Sequence, residues 1–110
     1  MLSTDSNIHT SIQPKDKETT IYRIEEERVT LSCMYDTGSD YVYLYWYRQY
    51  LNKEPEYLLY KGARSRSGYD NIPDTRFQSI TSQTSTELTI KSVTLADSAL
   101  YYCALSVAAR

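Results

Sequence analysis

Two cysteines, Cys33 and Cys103, with the single tryptophan Trp46 between them, constrain this chain more than any other feature. The first closes Leu31-Ser32-Cys33. The tryptophan sits in Tyr45-Trp46-Tyr47-Arg48-Gln49. The second cysteine ends Asp97-Ser98-Ala99-Leu100-Tyr101-Tyr102-Cys103. An even cysteine count at distant positions fits one disulfide. Together the three pieces describe two packed β-sheets pinned by one buried bridge, with an indole against it. The chain between the cysteines is long enough for about five or more strands. A bridge closing so long a loop is worth about 4 kcal/mol in the chain-entropy model and implies an oxidising compartment. His9 is the only histidine, so a zinc site would lack its usual ligands.

The bulk numbers narrow the function classes. The 110 residues suit one domain, 1–110, with a core over about 8–106. The net charge is -2, and both signs are scattered. Nucleic acid and anionic membranes favour a concentrated basic face, so neither is expected as a partner. The one basic cluster, Lys61-Gly-Ala-Arg64-Ser-Arg66, reads most plainly as a solvated loop and more sharply as a contact loop for an acidic or polar surface. Twelve tyrosines stand against one phenylalanine, most of them between Tyr35 and Tyr69. Tyrosine favours strands, and it also supplies rigid contact area with a polar tip. Met1-Leu-Ser-Thr-Asp has neither a basic start nor an apolar run, so no signal peptide is read there and Met1 reads as a start placed on a mature segment. No apolar run of about 20 residues is present to span a membrane. Asn7, Asn52 and Asn71 all fail the glycosylation pattern.

Along the chain, Val29, Leu31 and Cys33 alternate with Thr30 and Ser32, which predicts a half-buried strand. Residues 8–13 alternate weakly, and 19–22 can resume as an edge strand. Residues 36–40 form a turn cluster. In 43–49, Leu44 and Trp46 point one way, while Tyr43, Tyr45, Tyr47 and Gln49 point the other. That second face is too apolar for bare solvent and too polar for a core, and suits a sheet from another chain. A short strand is predicted over 57–60, a loop over 62–68, a strand pair over 75–80 and 86–90, a helical corner over 93–98 and a last strand over 100–104. Strands recur with turn signals roughly every ten residues, which predicts an all-β sandwich.

These residues resemble the variable domain of the immunoglobulin superfamily, most of all the variable segments of T-cell receptor α or δ chains. Residues 45–50 resemble its strand C, and 97–106 the end of an α segment running into its third hypervariable loop. The resemblance covers roughly 8–106. It implies an immunoglobulin-like V-type β-sandwich of two antiparallel sheets, with Cys33–Cys103 as the inter-sheet disulfide and Trp46 packed on it. It makes Tyr101 the tyrosine corner and Arg76–Asp97 an ion pair closing the lower end. It places Tyr45, Tyr47, Gln49, Pro55, Tyr57 and Tyr102 in the contact with a partner variable domain. The three hypervariable loops fall at about 35–43, 61–69 and 104–110. Their ligand-contact residues would be Tyr35, Asp36, Ser39, Asp40, Tyr41 and Tyr43 in the first; Lys61, Arg64, Arg66 and Tyr69 in the second; and Leu105, Ser106 and Arg110 in the third. One departure stands out: the family continues into a Phe-Gly-x-Gly strand from a joining segment, whereas this sequence ends at Arg110. The last strand, G, is therefore expected to be absent or truncated.

The expected function is antigen recognition. The domain would pair with a β, γ or similar variable domain and touch peptide or another ligand on a histocompatibility-type molecule, outside the plasma membrane. Contact with the membrane itself would come only through the parent chain. The alternative is a V-type immune or adhesion ectodomain that self-associates or binds another surface protein; a homodimer of the isolated domain belongs to this reading. Catalysis is not expected, because His9 has no evident orienting partner for a nucleophile. No cofactor is expected. Asp36, Asp40, Asp70 and Asp74 lack the spacing of a calcium loop and read as turn formers.

Overall fold

The computed structural model describes residues 10–15 and 28–108. Its strands are β1 (Ser11–Pro14), β2 (Arg28–Asp36), β3 (Tyr41–Gln49), β4 (Glu56–Arg64), β5 (Asp70–Asn71), β6 (Phe77–Thr81), β7 (Ser85–Lys91) and β8 (Leu100–Val107). A 3-10 turn, Leu95–Asp97, precedes β8. One sheet runs β1-β2-β7-β6 and the other β5-β4-β3-β8, with every pairing antiparallel. The expected strand at 19–22, His9 and Arg110 lie outside the described residues.

Alternation of side chains builds the core. Val42, Leu44 and Trp46 of β3 are fully buried, as are Thr86, Leu88 and Ile90 of β7 and Tyr101 and Leu105 of β8. Cys33 lies in the first sheet and Cys103 in the second, and their disulfide joins the sheets with a Cα separation of 6.6 Å. Trp46 stands opposite Cys103 in the β3–β8 ladder, so the indole occupies the row that carries the bridge. Its Nε1 has no hydrogen-bond partner, and that loss is tolerated for the large apolar area the ring removes from water.

The lower end is closed as a network. Arg76 donates two hydrogen bonds to Asp97, at 3.1 and 2.9 Å. The Asp97 carboxylate also accepts from the Thr94 amide at 3.0 Å, completing a capping box on the 3-10 turn. The Tyr101 hydroxyl donates to the Asp97 carbonyl at 2.7 Å. Hydrogen bonding from Arg76, opposed by burial, holds the Asp97 carboxyl below its ordinary pKa. Burial pushes the Tyr101 phenol up to about 12.

Three strands reach further than the sequence pattern predicts. β3 starts at Tyr41, β4 runs to Arg64 and β8 runs to Val107. Much of each expected hypervariable loop is therefore strand. The cause is pairing on both sides of Val42, which faces Ala63 on one strand and Val107 on the other. Burying Val42, Ala63 and Leu105 while bonding three backbones outweighs the polar composition of these segments. The connections that remain between these strands, 37–40 and 65–69, are short. Among the described residues no strand pairs with the outer edge of β8.

Candidate functional site

Two surfaces concentrate the residues of interest. The first is the outer face of the β5-β4-β3-β8 sheet. Tyr43, Tyr45, Tyr47 and Gln49 project from β3, half-buried. Tyr57 and Tyr60 of β4 join them, although a spacing of three would put them on opposite sides of a regular strand. A register shift explains this. Trp46 pairs with Leu59 and Tyr47 with Tyr57, so Leu58 is an extra residue in a β-bulge. The bulge turns both Leu58 and Leu59 into the core and both tyrosines out. Tyr45 then packs against Tyr47, Tyr57 and Tyr60 with centroids 6.4, 6.5 and 5.5 Å apart, while Tyr43 meets Tyr60 edge-on at 5.9 Å. Tyr60 escaped the sequence reading of this face, because only the bulge places it there.

The rim of this face is hydrogen-bonded. Tyr102, opposite Tyr47 in the β3–β8 ladder, donates to Gln49 Oε1 at 2.6 Å. Gln49 Nε2 donates to the Lys53 carbonyl at 2.8 Å, and the Tyr57 hydroxyl donates to Asn71 Oδ1 at 2.6 Å. Pro55 is exposed just before β4. Burial, reinforced by neighbouring tyrosines, raises the phenol pKa of Tyr45 and Tyr57, so both stay neutral in physiological conditions. The result is an uncharged patch of packed rings, mostly edge-on or tilted, whose tips can still exchange hydrogen bonds.

The second surface is the end of the sandwich where β2, β4, β6 and β8 finish and β3 and β7 begin. The connections there are tied together. Ser65 donates from its amide and hydroxyl to the Asp40 carbonyl at 3.2 and 2.7 Å. The Ser39 hydroxyl donates to the Ala108 carbonyl at 3.3 Å, and the Ala108 amide bonds the Tyr41 carbonyl at 3.0 Å. Gly62 permits the β4–β5 turn: a Cβ there would lie 2.0 Å from the Arg66 carbonyl oxygen. Lys61 pairs with Asp70 at 3.3 Å on the strand, rather than in a loop. Arg66 stacks over Tyr41 and Tyr69, 4.3 and 5.4 Å from the ring centroids.

Some expected contact residues are not available there. Tyr35 is 3 % exposed; its ring is core, and its hydroxyl bonds the Ser82 carbonyl. Leu105 is fully buried in β8. Both are corrected from loop anchors to core, because each occupies an inward position of a strand longer than expected. Arg64 is likewise committed to backbone carbonyls inside the chain. Asp36, Asp40, Tyr69 and Ser65 are exposed, and Ser39, Tyr41, Tyr43 and Ser106 are half-buried. The sequence reading missed the β6–β7 turn, whose Ser82, Gln83 and Thr84 lie at this same end. The polar run Ser82-Gln-Thr-Ser signalled a turn, but nothing in it signalled which neighbours it would meet. Among the described residues no three His, Cys, Asp or Glu side chains gather where a metal ion could sit.

A disulfide-pinned pair of four-stranded antiparallel sheets, with a tyrosine corner and an arginine–aspartate clasp, defines the V-type immunoglobulin class. The chain belongs to the immunoglobulin V-set domain family, whose model matches residues 16–109. It is 46% identical over 84 residues to human T cell receptor alpha variable 18, covering 74% of this chain and 69% of that relative. It is 35% identical over 82 residues to human T cell receptor alpha variable 14/delta variable 4, covering 74% and 69%. Human T cell receptor beta variable 7-6 is 33% identical over 87 residues, covering 78% and 76%. The chain is thus an antigen-receptor type variable domain, a receptor module and not an enzyme. No helix among the described residues is long and apolar enough to cross a membrane.

Proposed function

We propose that this chain is the antigen-recognition variable domain of a T-cell receptor chain of α or δ type, displayed on the outside of the plasma membrane. It pairs with a β, γ or similar variable domain through Tyr45, Tyr47, Gln49, Pro55, Tyr57, Tyr60 and Tyr102. It contacts peptide or another ligand on a histocompatibility-type molecule through the loop end. The observation that carries the reading is the uncharged, rim-bonded tyrosine face on β3, β4 and β8. Packed aromatics of this kind are costly to leave in water and tend to hold binding hot spots. Resemblance to alpha and alpha/delta segments supports the chain type. At the loop end the Arg66 guanidinium lies between two tyrosine rings, with Tyr69 beside it exposed. Such a rigid aromatic–arginine pair suits a contact surface.

The test has two arms. Tyr47→Arg and Tyr57→Glu should abolish assembly with a β-type partner in sedimentation velocity while leaving the far-UV spectrum unchanged. Unaltered assembly would mean the face is misassigned. Assembly of the chain with itself, lost in the same variants, would favour the adhesion reading. In the reconstituted pair, Arg66→Ala and Tyr41→Ala should weaken binding to the presenting molecule about tenfold or more each. Lys53→Ala, in the turn at the opposite end, should not. Equal sensitivity at Lys53 would place recognition elsewhere.

A further inference from the structure

β4 ends in a left-handed residue, Arg64, with φ 57°. That conformation is uncommon away from glycine and asparagine, and persists only where its surroundings hold it. What holds it here is the guanidinium. Nη1 donates to the Thr37 and Ser39 carbonyls, both at 2.7 Å. Nη2 and Nε donate to the Gln83 carbonyl at 2.6 and 3.2 Å. The group also lies over the Tyr35 ring, 5.1 Å from its centroid. Tyr35 in turn grips the same turn twice, from its hydroxyl to the Ser82 carbonyl and from its amide to the Thr84 carbonyl at 2.9 Å.

These acceptors come from separate parts of the fold. Thr37 and Ser39 belong to the β2–β3 connection, which crosses between sheets. Gln83 belongs to the β6–β7 turn of the first sheet. Arg64 itself enters from the second sheet and carries the 65–69 loop behind it. The far end of the sandwich is closed by an ion pair, Arg76–Asp97. This end is closed by a cation bonded to neutral carbonyls, and among the described residues Arg64 has no carboxylate partner. Only a planar fork with donors on several edges satisfies acceptors on both sides at once; a lysine ammonium is a single point.

We propose that Arg64 is the positioning residue of the ligand-facing end. It couples the 37–40 connection, the 65–69 loop and the 82–84 turn into one unit. A displacement of one segment is then transmitted to the others through the guanidinium. What the surface is used for rests on the recognition reading above; the coupling does not, and is measured without a ligand.

The experiment is amide hydrogen exchange on the chain assembled with its partner domain. Arg64→Ala and Arg64→Lys should both accelerate exchange of the Tyr41, Ser65 and Ser85 amides, by about tenfold or more, because charge-assisted bonds are lost in either case. Amides of Leu44 and Leu88 in the core ladders should not change. The decisive arm inserts one glycine after Gln83, displacing its carbonyl. In the native background this should accelerate exchange at Tyr41 and Ser65. Combined with Arg64→Ala, or with Arg64→Lys should the alanine variant not fold, it should add nothing at those two amides. An insertion effect that persists in full without the arginine overturns the coupling, as does acceleration confined to 82–85. Unchanged exchange at those amides in both Arg64 variants overturns the coupling alone, because that readout uses no ligand. Failure of the Arg66→Ala and Tyr41→Ala recognition test, with the exchange result standing, overturns the recognition reading alone.

Discussion

Arg76→Ala should destabilise the protein far more at neutral pH than in acid. Asp97 is 3 % exposed, and its carboxylate accepts two bonds from Arg76 and one from the Thr94 amide. Arg76 keeps 36 % of its side chain in solvent. Deleting the arginine therefore strands the more deeply buried charge of the two. Breaking a buried pair costs about 3–5 kcal/mol, and the low end applies here. The reason is Arg48, whose Nη1 remains 4.0 Å from Asp97 Oδ1 as a weaker second cation. A loss of about 3 kcal/mol lowers the melting temperature by roughly 12 °C or more for a chain of this size. In the intact protein the Asp97 carboxyl sits below its unfolded value of 3.8. Its contribution is complete above that value and is lost as pH falls through the folded value. Without Arg76 the largest cause lowering the pKa is gone, burial is opposed only by the Thr94 amide and Arg48, and the carboxyl shifts up from its native position. Asp97 then contributes less at neutral pH, and the difference closes as pH falls and the native pair is protonated too. Urea unfolding of the oxidised protein at about pH 7, 5 and 3 should show the gap between native and variant narrowing, chiefly at the acid end. A gap that stays constant across that range would mean Asp97 keeps its low pKa without Arg76, and the argument fails.

Gly62→Ala places a methyl 2.0 Å from the Arg66 carbonyl oxygen, a backbone atom that cannot swing aside. It should cost about 1–3 kcal/mol by denaturant unfolding, with exchange accelerated at 65–69; a neutral result would show that the β4–β5 turn is softer than its hydrogen bonds indicate. The Cys33–Cys103 bridge closes a separation of 70 residues, so replacing both cysteines with alanine should remove about 4 kcal/mol, and thiol labelling of the native protein before reduction should find no free thiol.

The sequence by itself determined the sandwich and its disulfide, while the Tyr101 corner and the Arg76–Asp97 pair were legible only through the family resemblance. Those features rest on alternation over residues 29–33 and 43–49, and on residues whose burial leaves few alternatives. A tryptophan between two distant cysteines on alternating strands needs only local spacing to be legible. So do the exposed turns, where Asp, Gly and Ser announce themselves. Tertiary structure alone decided the rest. Strand ends were not legible, because Tyr41, Ala63, Arg64 and Val107 pair only when three strands meet, and no local propensity reports a partner elsewhere in the chain. The bulge at Leu58 inverted the parity of β4 and brought Tyr60 onto the tyrosine face, since a register slip of one residue exchanges the two faces of a strand. The same blindness to partners put Tyr35, Leu105 and Arg64 on the loop surface in the sequence reading. Each reads as a contact residue from sequence, but burial claims Tyr35 and Leu105 for the core, and half-buried Arg64 is committed to backbone carbonyls of its own chain. Composition states what a side chain can do, and only the assembled sheets decide whether it still faces water.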